Sequence, residues 1–375
     1  MAKYKIAYMP GDGIGNDVLE AARIVLDATD FDAEYIPLDI GFEVFTAEGD
    51  PLPDRTVEGM KKTDAALFGA ITSKPQTDPE VVETVKKFGI PYRSPIVRLR
   101  QKFDLYSNMR PCKAYKGNPL NYRDDVDLVV FRENTEGLYA GVEFDKGEQF
   151  RSLQACGLEL FKKFDPDTTA VSCRVFTEKG CRRIVKAAFE YAKRLNRPTV
   201  TVVHKANVVR MTSGMFLRVA QEVAKDYPEI ELWDTNVDAM AMWLVKNPQD
   251  YGVLVCTNMF GDIISDLAAQ LVGGLGFASS ASTSGYEYGL FEPTHGSAPK
   301  YAGQYKVNPT AAILSGKLML EWLGMAKNDP TLIEISQQIE KGVADVIVEG
   351  NVRTYDLGGS STTLEVAKEV VKKMK

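Results

Sequence analysis

Short β-branched runs alternate with amphipathic stretches along most of these 375 residues, and that alternation narrows the choice of fold more than any other feature. Lys5 to Met9, Ala65 to Phe68, Val126 to Phe131 and Thr199 to Val203 read as buried strands, because unbroken apolar runs suit a sheet covered on both faces. Helical periodicity follows at Asp17 to Ala28, Cys181 to Leu195, Gly214 to Lys225, Pro309 to Leu323 and Leu332 to Glu349. The pattern predicts an α/β fold, and the length predicts two domains. Asp145 to Thr169 is polar and weakly periodic, which marks it as an excursion from the core fold.

Composition narrows the function. A net charge of −6 gives no electrostatic reason for nucleic acid or an anionic membrane as a partner. Met-Ala-Lys-Tyr-Lys-Ile runs directly into a strand rather than a secretory leader, and the apolar stretch Leu267 to Ala281 is broken by Gly273, Gly274 and Gly276. Five scattered cysteines without a Cys-x-x-Cys pair read as reduced packing thiols of a cytoplasmic protein. With only His204 and His295, histidine-rich metal sites and Ser-His-Asp schemes are poorly supplied.

Asp262-Ile263-Ile264-Ser265-Asp266 follows the strand-like Val253-Leu254-Val255. Carboxylates four residues apart stack on one face of a helix, here expected in its first turn, with Ile263, Ile264, Leu267 and Leu271 as its buried side. Two such anions suit a hard divalent cation, Mg²⁺ or Mn²⁺. The competing reading is one carboxylate at the helix dipole and a second in solvent. Asp238, in Asp234-Thr235-Asn236-Val237-Asp238, is either a further metal ligand or a turn residue.

Gly11-Asp12-Gly13-Ile14-Gly15 joins a strand to a helix but lacks the dinucleotide spacing, since Asn16 stands where a glycine is required. It reads as a tight glycine-permitted turn beside a ligand pocket. Arg100, Arg110 and Arg132 lie near element ends, and three converging guanidinium forks would suit a di- or tricarboxylate; separately they are surface charge. Lys205 ends an apolar strand, either as a base of lowered pKa or as a snorkelling lysine. His204 reads as a hydrogen-bonded structural residue. Glu292 to Gly303 is a turn-rich, structureless segment of the kind that carries function, with Lys300 as a phosphate cation and Tyr301 as a hydroxyl.

Taken together, Asp104-Leu105-Tyr106-Ser107-Asn108-Met109-Arg110-Pro111, Arg132-Glu133-Asn134-Thr135-Glu136, Asn258-Met259-Phe260-Gly261-Asp262 and His295-Gly296-Ser297-Ala298-Pro299 resemble the β-decarboxylating dehydrogenases. That family comprises the isocitrate, homoisocitrate and 3-isopropylmalate dehydrogenases. The resemblance runs through nearly the whole chain, to Asp356-Leu357-Gly358-Gly359, although the region from Gly147 to Thr169 looks longer than the family's usual form. It implies a non-Rossmann α/β fold with a large domain of residues 1–105 and 273–375. A small domain of 106–272 would carry an intersubunit clasp near 138–177, in a homodimer with shared active sites.

It also implies oxidative decarboxylation of a 2-hydroxy-3-carboxy acid with NAD(P)⁺ as hydride acceptor. Ser94, Arg100, Arg110, Arg132 and Asn207 would bind substrate. Asp262 and Asp266 would bind the metal with Asp238 of the neighbouring subunit. Lys205, also from the neighbour, would take the hydroxyl proton, and Tyr139 would protonate the enol. Ile14, Ile71, Thr72, Glu292, His295, Gly296, Ala298, Lys300, Tyr301, Val307, Asn308 and Tyr355 would line the cofactor site.

Lys300-Tyr301 and Tyr355 are similar to the NADP-using members, whereas NAD-using members carry an aspartate after the His-Gly block. Gly359 stands where some NADP enzymes have an arginine. Ser94 matches the serine of isocitrate enzymes, but Ile96 replaces their asparagine, and Ser-Pro-Ile-Val looks like some homoisocitrate enzymes. Isocitrate is therefore expected first, homoisocitrate second and 3-isopropylmalate third. Two other classes are a metal-independent Rossmann dehydrogenase, which would keep its activity in EDTA, and a non-catalytic regulatory subunit, which would have lost some of the residues named.

Overall fold

The computed structural model describes residues 2–374. From the start of the chain come β1 (Tyr4–Gly11), α1 (Gly15–Asp27), β2 (Ala33–Pro37), α2 (Phe42–Glu48), α3 (Asp54–Met60), β3 (Ala65–Ala70), α4 (Pro79–Phe88) and α5 (Pro95–Lys102). The middle contributes β4 (Ser107–Lys113), β5 (Asp127–Glu133), β6 (Glu143–Phe144), α6 (Glu148–Ala155), β7 (Val171–Ser172), α7 (Glu178–Arg194) and β8 (Thr199–His204). Next are α8 (Thr212–Ala224), β9 (Glu231–Asn236), α9 (Val237–Lys246), β10 (Val253–Cys256) and α10 (Asn258–Gln270). The chain then forms β11 (Ser279–Thr283), β12 (Gly289–Pro293), α11 (Thr310–Ala326), α12 (Pro330–Glu349) and α13 (Thr363–Lys373).

Local chemistry sets many of these boundaries. Asp78 and Asp329 cap α4 and α12, each followed by a proline whose missing N–H costs nothing in a first turn. Thr362 and Glu365 close a capping box on α13. The turn after β1 needs glycine: Gly11 and Gly13 have φ of 73° and 58°, and a Cβ on Gly11 would sit 2.0 Å from the Ala70 carbonyl oxygen.

Ten strands form one mixed sheet in the order β2-β1-β3-β12-β11-β4-β5-β10-β8-β9. The first five come from the two ends of the chain and the last five from its middle. The seam between them is the antiparallel pairing of β11 with β4, which runs through Ala281–Met109, Ser282–Asn108 and Thr283–Ser107. On the terminal side, α1, α11, α12 and α13 share one core, which includes Val18, Leu26, Met319, Ile339 and Val370. On the middle side, alternate residues of β5 serve opposite layers: Val129 and Phe131 meet α7 and α8, while Leu128 and Val130 meet α9 and α10.

The polar excursion contains α6 and is closed at its base by the two-stranded β6–β7 ribbon that flanks it. Leu158, Leu160 and Phe164 within it are exposed. No helix among the described residues is long and apolar enough to cross a membrane.

Three expectations need correction. Asp262 and Asp266 lie in the second and third turns of α10, because that helix already begins at Asn258. Ile263 is 57% exposed rather than buried; the inward stripe runs through Ile264, Ala268 and Leu271. Glu292 and Pro293 are the end of β12, so the segment expected to be structureless starts at Thr294.

Candidate active site

The front faces of β11, β4 and β5 place Ser280, Arg110 and Arg132 at the floor of a cavity of about 410 Å³. One wall is α5 with Ser94, Ile96, Val97 and Arg100; another is Asp262 of α10 with Tyr139. Glu292 and the loops through Ile71 and through Thr294, His295 and Gly296 complete it. The three arginines therefore converge on one space.

The guanidiniums of Arg132 and Arg110 are oriented by neutral partners as well as acids. Arg132, 2% exposed, donates through Nε and Nη2 to Asn258 Oδ1 at 3.0 and 2.8 Å. Its Nη1 donates to Asp262. Arg110 donates through Nε to Asn108 Oδ1 at 2.7 Å, and through Nη1 to Ser265 Oγ at 2.7 Å and Asp266 Oδ1 at 3.1 Å. Asn108 is itself held by its bond to Ser282 Oγ at 2.8 Å. Arg100 pairs with Glu292 at 3.1 Å. Burial presses the pKa of Arg110 and Arg132 down, but a guanidinium with these acceptors stays charged.

The two aspartates of α10 are pushed apart electrostatically. Burial raises the Asp262 carboxyl, but Arg132, Arg110 and the Tyr139 hydroxyl outweigh it and hold it below the ordinary range. Asp266 is held above that range by burial and by the charge of Asp262, against the pull of Arg110. The Tyr139 hydroxyl donates to Asp262 Oδ2 at 2.8 Å, and burial together with that bond raises its pKa. Its ring lies 5.2 Å from the Arg132 guanidinium.

A stacked pair of carboxylates beside hydroxyls is the all-oxygen donor set that Mg²⁺ or Mn²⁺ takes. Arg100 Nε, Thr294 Oγ1 and His295 Nε2 are buried without partners on the same cavity, so its polar lining fits a bound polar molecule. Asp12, 1% exposed, accepts from the N–H groups of Phe42, Glu43 and Thr72 and ties the glycine turn to the Ile71 loop. Ile14 N–H donates to Ser297 O at 2.9 Å, and the Thr72 and Ser297 hydroxyls are 2.6 Å apart. Burial lowers the pKa of the His295 imidazole.

Other residues singled out from the sequence lie elsewhere. Val307 is buried in the core, and the Asn308 side chain is committed to Asp356 and to the Thr310 N–H. Ala298 packs against that core in the left-handed conformation, with φ of 35°. Lys300, Tyr301 and Tyr355 form an outer cluster: Lys300 lies over the Tyr301 ring at 4.7 Å, and the two tyrosine rings are 5.8 Å apart. Lys306 joins it 5.1 Å over Tyr355, a cation missed in the sequence although it lies five residues past Tyr301. Asn108 and Asn258 were missed as well; each stands inside a quoted block, but nothing in its type announces that it clamps an arginine.

Lys205 and Asp238 form an ion pair with each other, and neither they nor Asn207 line the cavity of their own chain. Among the described residues no group of three acids, histidines or cysteines could hold a metal within one chain. His204 bonds Asp234 at 3.0 Å and accepts from the Ala206 N–H, the structural role expected of it.

Comparison with known proteins matches residues 5–372 to the isocitrate/isopropylmalate dehydrogenase family. A 3-isopropylmalate dehydrogenase of Archaeoglobus fulgidus is 43% identical over 366 residues, covering 98% of each chain. An isocitrate/homoisocitrate dehydrogenase of Thermus thermophilus is 41% identical, covering 99% of each. The crystal structure of isocitrate dehydrogenase from Methylococcus capsulatus matches with a TM-score of 0.85 at 40% identity, again over 99% of both chains. Its arginine-lined cavity thus belongs to a known fold, and the chain is a member of the isocitrate/isopropylmalate dehydrogenase family of NAD(P)-dependent decarboxylating dehydrogenases.

Proposed function

We propose that this enzyme oxidatively decarboxylates isocitrate with NADP⁺ and Mg²⁺ or Mn²⁺. The observation that carries this is the convergence of three largely buried arginines on one cavity, beside Asp262, with Asp266 one helical turn further on and paired to Arg110. Arg100, Arg110 and Arg132 hold the carboxylates as bidentate forks. The Ser94 hydroxyl makes no cap bond to α5 and is free to meet the distal carboxylate. Asp262 and Asp266 would hold the cation, with Asp238 supplied by a second subunit. When bound, the nicotinamide would supply a hydride acceptor and the cation Lewis-acid chemistry at the substrate oxygens.

The residues of the chain do the rest. Lys205 of the neighbouring subunit helps to remove the hydroxyl proton. Tyr139 keeps its proton at neutral pH and is placed to deliver it to the carbon left after CO₂ departs. Asn207 completes the substrate contacts from the same neighbouring strand end. Lys300, Lys306, Tyr301 and Tyr355 supply cations and hydroxyls for a 2′-phosphate, which favours NADP⁺ over NAD⁺.

A homodimer with shared sites follows from this reading. Val208, Met211, Met242, Val245 and Ile263 are all exposed apolar residues near Lys205, Asp238 and Asp262, and they are the surface a second copy would cover. The exposed apolar residues of the 138–177 clasp have the same explanation. The sheet seam at β11–β4 is proposed as the boundary between the large domain, 1–105 and 273–375, and the small domain, 106–272.

The likeness of Ser94-Pro95-Ile96-Val97 to some homoisocitrate enzymes makes homoisocitrate the second reading, and the apolar Ile96 and Val97 on the cavity wall keep 3-isopropylmalate as the third. Steady-state turnover of all three acids, with each nucleotide and with Mg²⁺ or Mn²⁺, decides among them. Isocitrate with NADP⁺ should give the highest kcat/KM, and EDTA should abolish it. A preference for 3-isopropylmalate, or for NAD⁺, would overturn the corresponding part of the proposal.

A further inference from the structure

Strands β11, β4 and β5 carry a cavity on each side. Side chains alternate along a strand, so Ser280, Arg110 and Arg132 face the arginine-lined cavity and their neighbours face away from it. Ala281, Met109 and Phe131 are paired in register across the three strands and form the floor of a second cavity, of about 490 Å³. Its walls come from both halves of the sheet: Tyr191 stands on α7, and Trp322 on α11. A space of this size with aromatic and thioether walls is built like a small-molecule site, which spans roughly 300–1,000 Å³.

The charges around it are mostly committed. Arg183 pairs with Asp104 at 2.7 Å. Glu190 accepts from the Tyr227 hydroxyl at 2.6 Å. Glu321 pairs with Lys317 at 2.8 Å and lies 3.7 Å from Arg194. Lys186 is the exception: it is exposed at the rim and, among the described residues, has no carboxylate within ion-pair distance. Arg183 Nε is buried on the same wall without an acceptor.

We propose that this reverse-face cavity is a second ligand site, for a small amphipathic monoanion with a flat aromatic body. The body lies over Met109 and Phe131 between Tyr191 and Trp322, where stacking and apolar burial hold it. The anionic group meets Lys186 at the mouth. The site is separate from the arginine-lined cavity and does not depend on the substrate assigned to it.

Two fluorescent probes of nearly the same shape test this on the full chain: 8-anilino-1-naphthalenesulfonate, an anion, and N-phenyl-1-naphthylamine, which is uncharged. The anion should bind saturably, one per chain, and more tightly than the neutral probe. Trp322 is one of three tryptophans, so Trp322→Phe should remove most of the energy transfer to the bound probe. Lys186→Gln, at an exposed position, should weaken the anion about five- to tenfold and leave the neutral probe unchanged. Ala187→Trp should fill the cavity and abolish both, with circular dichroism checking that this variant folds. The proposal fails if binding does not saturate, if energy transfer survives Trp322→Phe, or if Lys186→Gln leaves the anion's affinity untouched. Undiminished binding to a folded Ala187→Trp variant would overturn it equally.

Discussion

Replacing Gly261 by alanine sets two effects against each other at the site. Alanine is the better helix former by about 1 kcal/mol, and Gly261 lies within α10. Its added Cβ, however, would stand 2.7 Å from both Cβ and Cγ of Arg132. Reaching an ordinary contact of 3.4 Å would require the arginine to retreat by about 0.7 Å. Arg132 is buried and is bonded to Asn258 and Asp262, so it has little room to move. Overpacking of this kind costs about 1–3 kcal/mol, which exceeds the propensity gain. The expected result is a net loss of about 1 kcal/mol and a fall in Tm of about 1–2 °C for a chain of this length. The kinetic effect is larger, because a displacement approaching 1 Å at a carboxylate-binding group costs up to about 10²-fold in kcat/KM. Scanning calorimetry and isocitrate kinetics on Gly261→Ala read the two effects separately. A raised Tm with unchanged kcat/KM would mean that the arginine yields freely, and the argument from close packing would be wrong.

Removing the amide of Asn258 by Asn258→Ala should lower kcat/KM about 10- to 100-fold with an unchanged far-ultraviolet spectrum, because Arg132 loses two bonds that aim it; unaltered kinetics would count against the clamp. Asp262→Asn should abolish turnover and Mn²⁺ binding by calorimetry while the chain remains folded, and retained Mn²⁺ affinity would contradict the metal role. Lys317 is half-buried between Glu321 and Glu340 at 2.8 and 3.1 Å, and Lys317→Met should cost about 1–2 kcal/mol at neutral pH, read as a drop in Tm. Burial works against both charges, but Lys317 and Lys113 hold the Glu340 carboxyl below its ordinary 4.5, and the glutamates hold Lys317 above its ordinary 10.5. The stabilisation from Glu340 is thus complete above 4.5 and lost as pH falls through its lowered value; that from Lys317 is complete below 10.5 and lost as pH rises through its raised value. The Tm gap between the two chains should therefore hold across neutral pH and close in acid, and a gap independent of pH would refute the network.

The apolar strands and long helices were legible because burial on both faces, or on one stripe, leaves a periodic trace. Strand β4 was not: Ser-Asn-Met-Arg-Pro-Cys-Lys turns polar residues to the cavity and contains a proline. Pro111 is tolerated because pairing with β11 stops at Met109, so its missing N–H interrupts no ladder. Arg100, Arg110 and Arg132 could be named from the sequence, but their convergence depends on bringing β4 and β5 beside α5, which periodicity does not encode. The error at Ile263 has a simple cause. Counting apolar residues around Asp262 ignored helical phase, which turns Ile263 away from Ile264 and Ala268. Lys306 escaped notice because a lone lysine in a loop resembles any other solvated charge.

The uninterrupted sheet has a consequence for how the molecule comes apart. Neither half ends in a flexible connector at the β11–β4 seam; each ends in a strand whose amides are satisfied by the other half. Melting one half alone would strip a row of backbone donors from the survivor and bare its apolar floor to water. Heat should therefore undo both halves in one cooperative event, and opening of the catalytic cleft must be accommodated by twisting the ladder rather than by swinging on a tether.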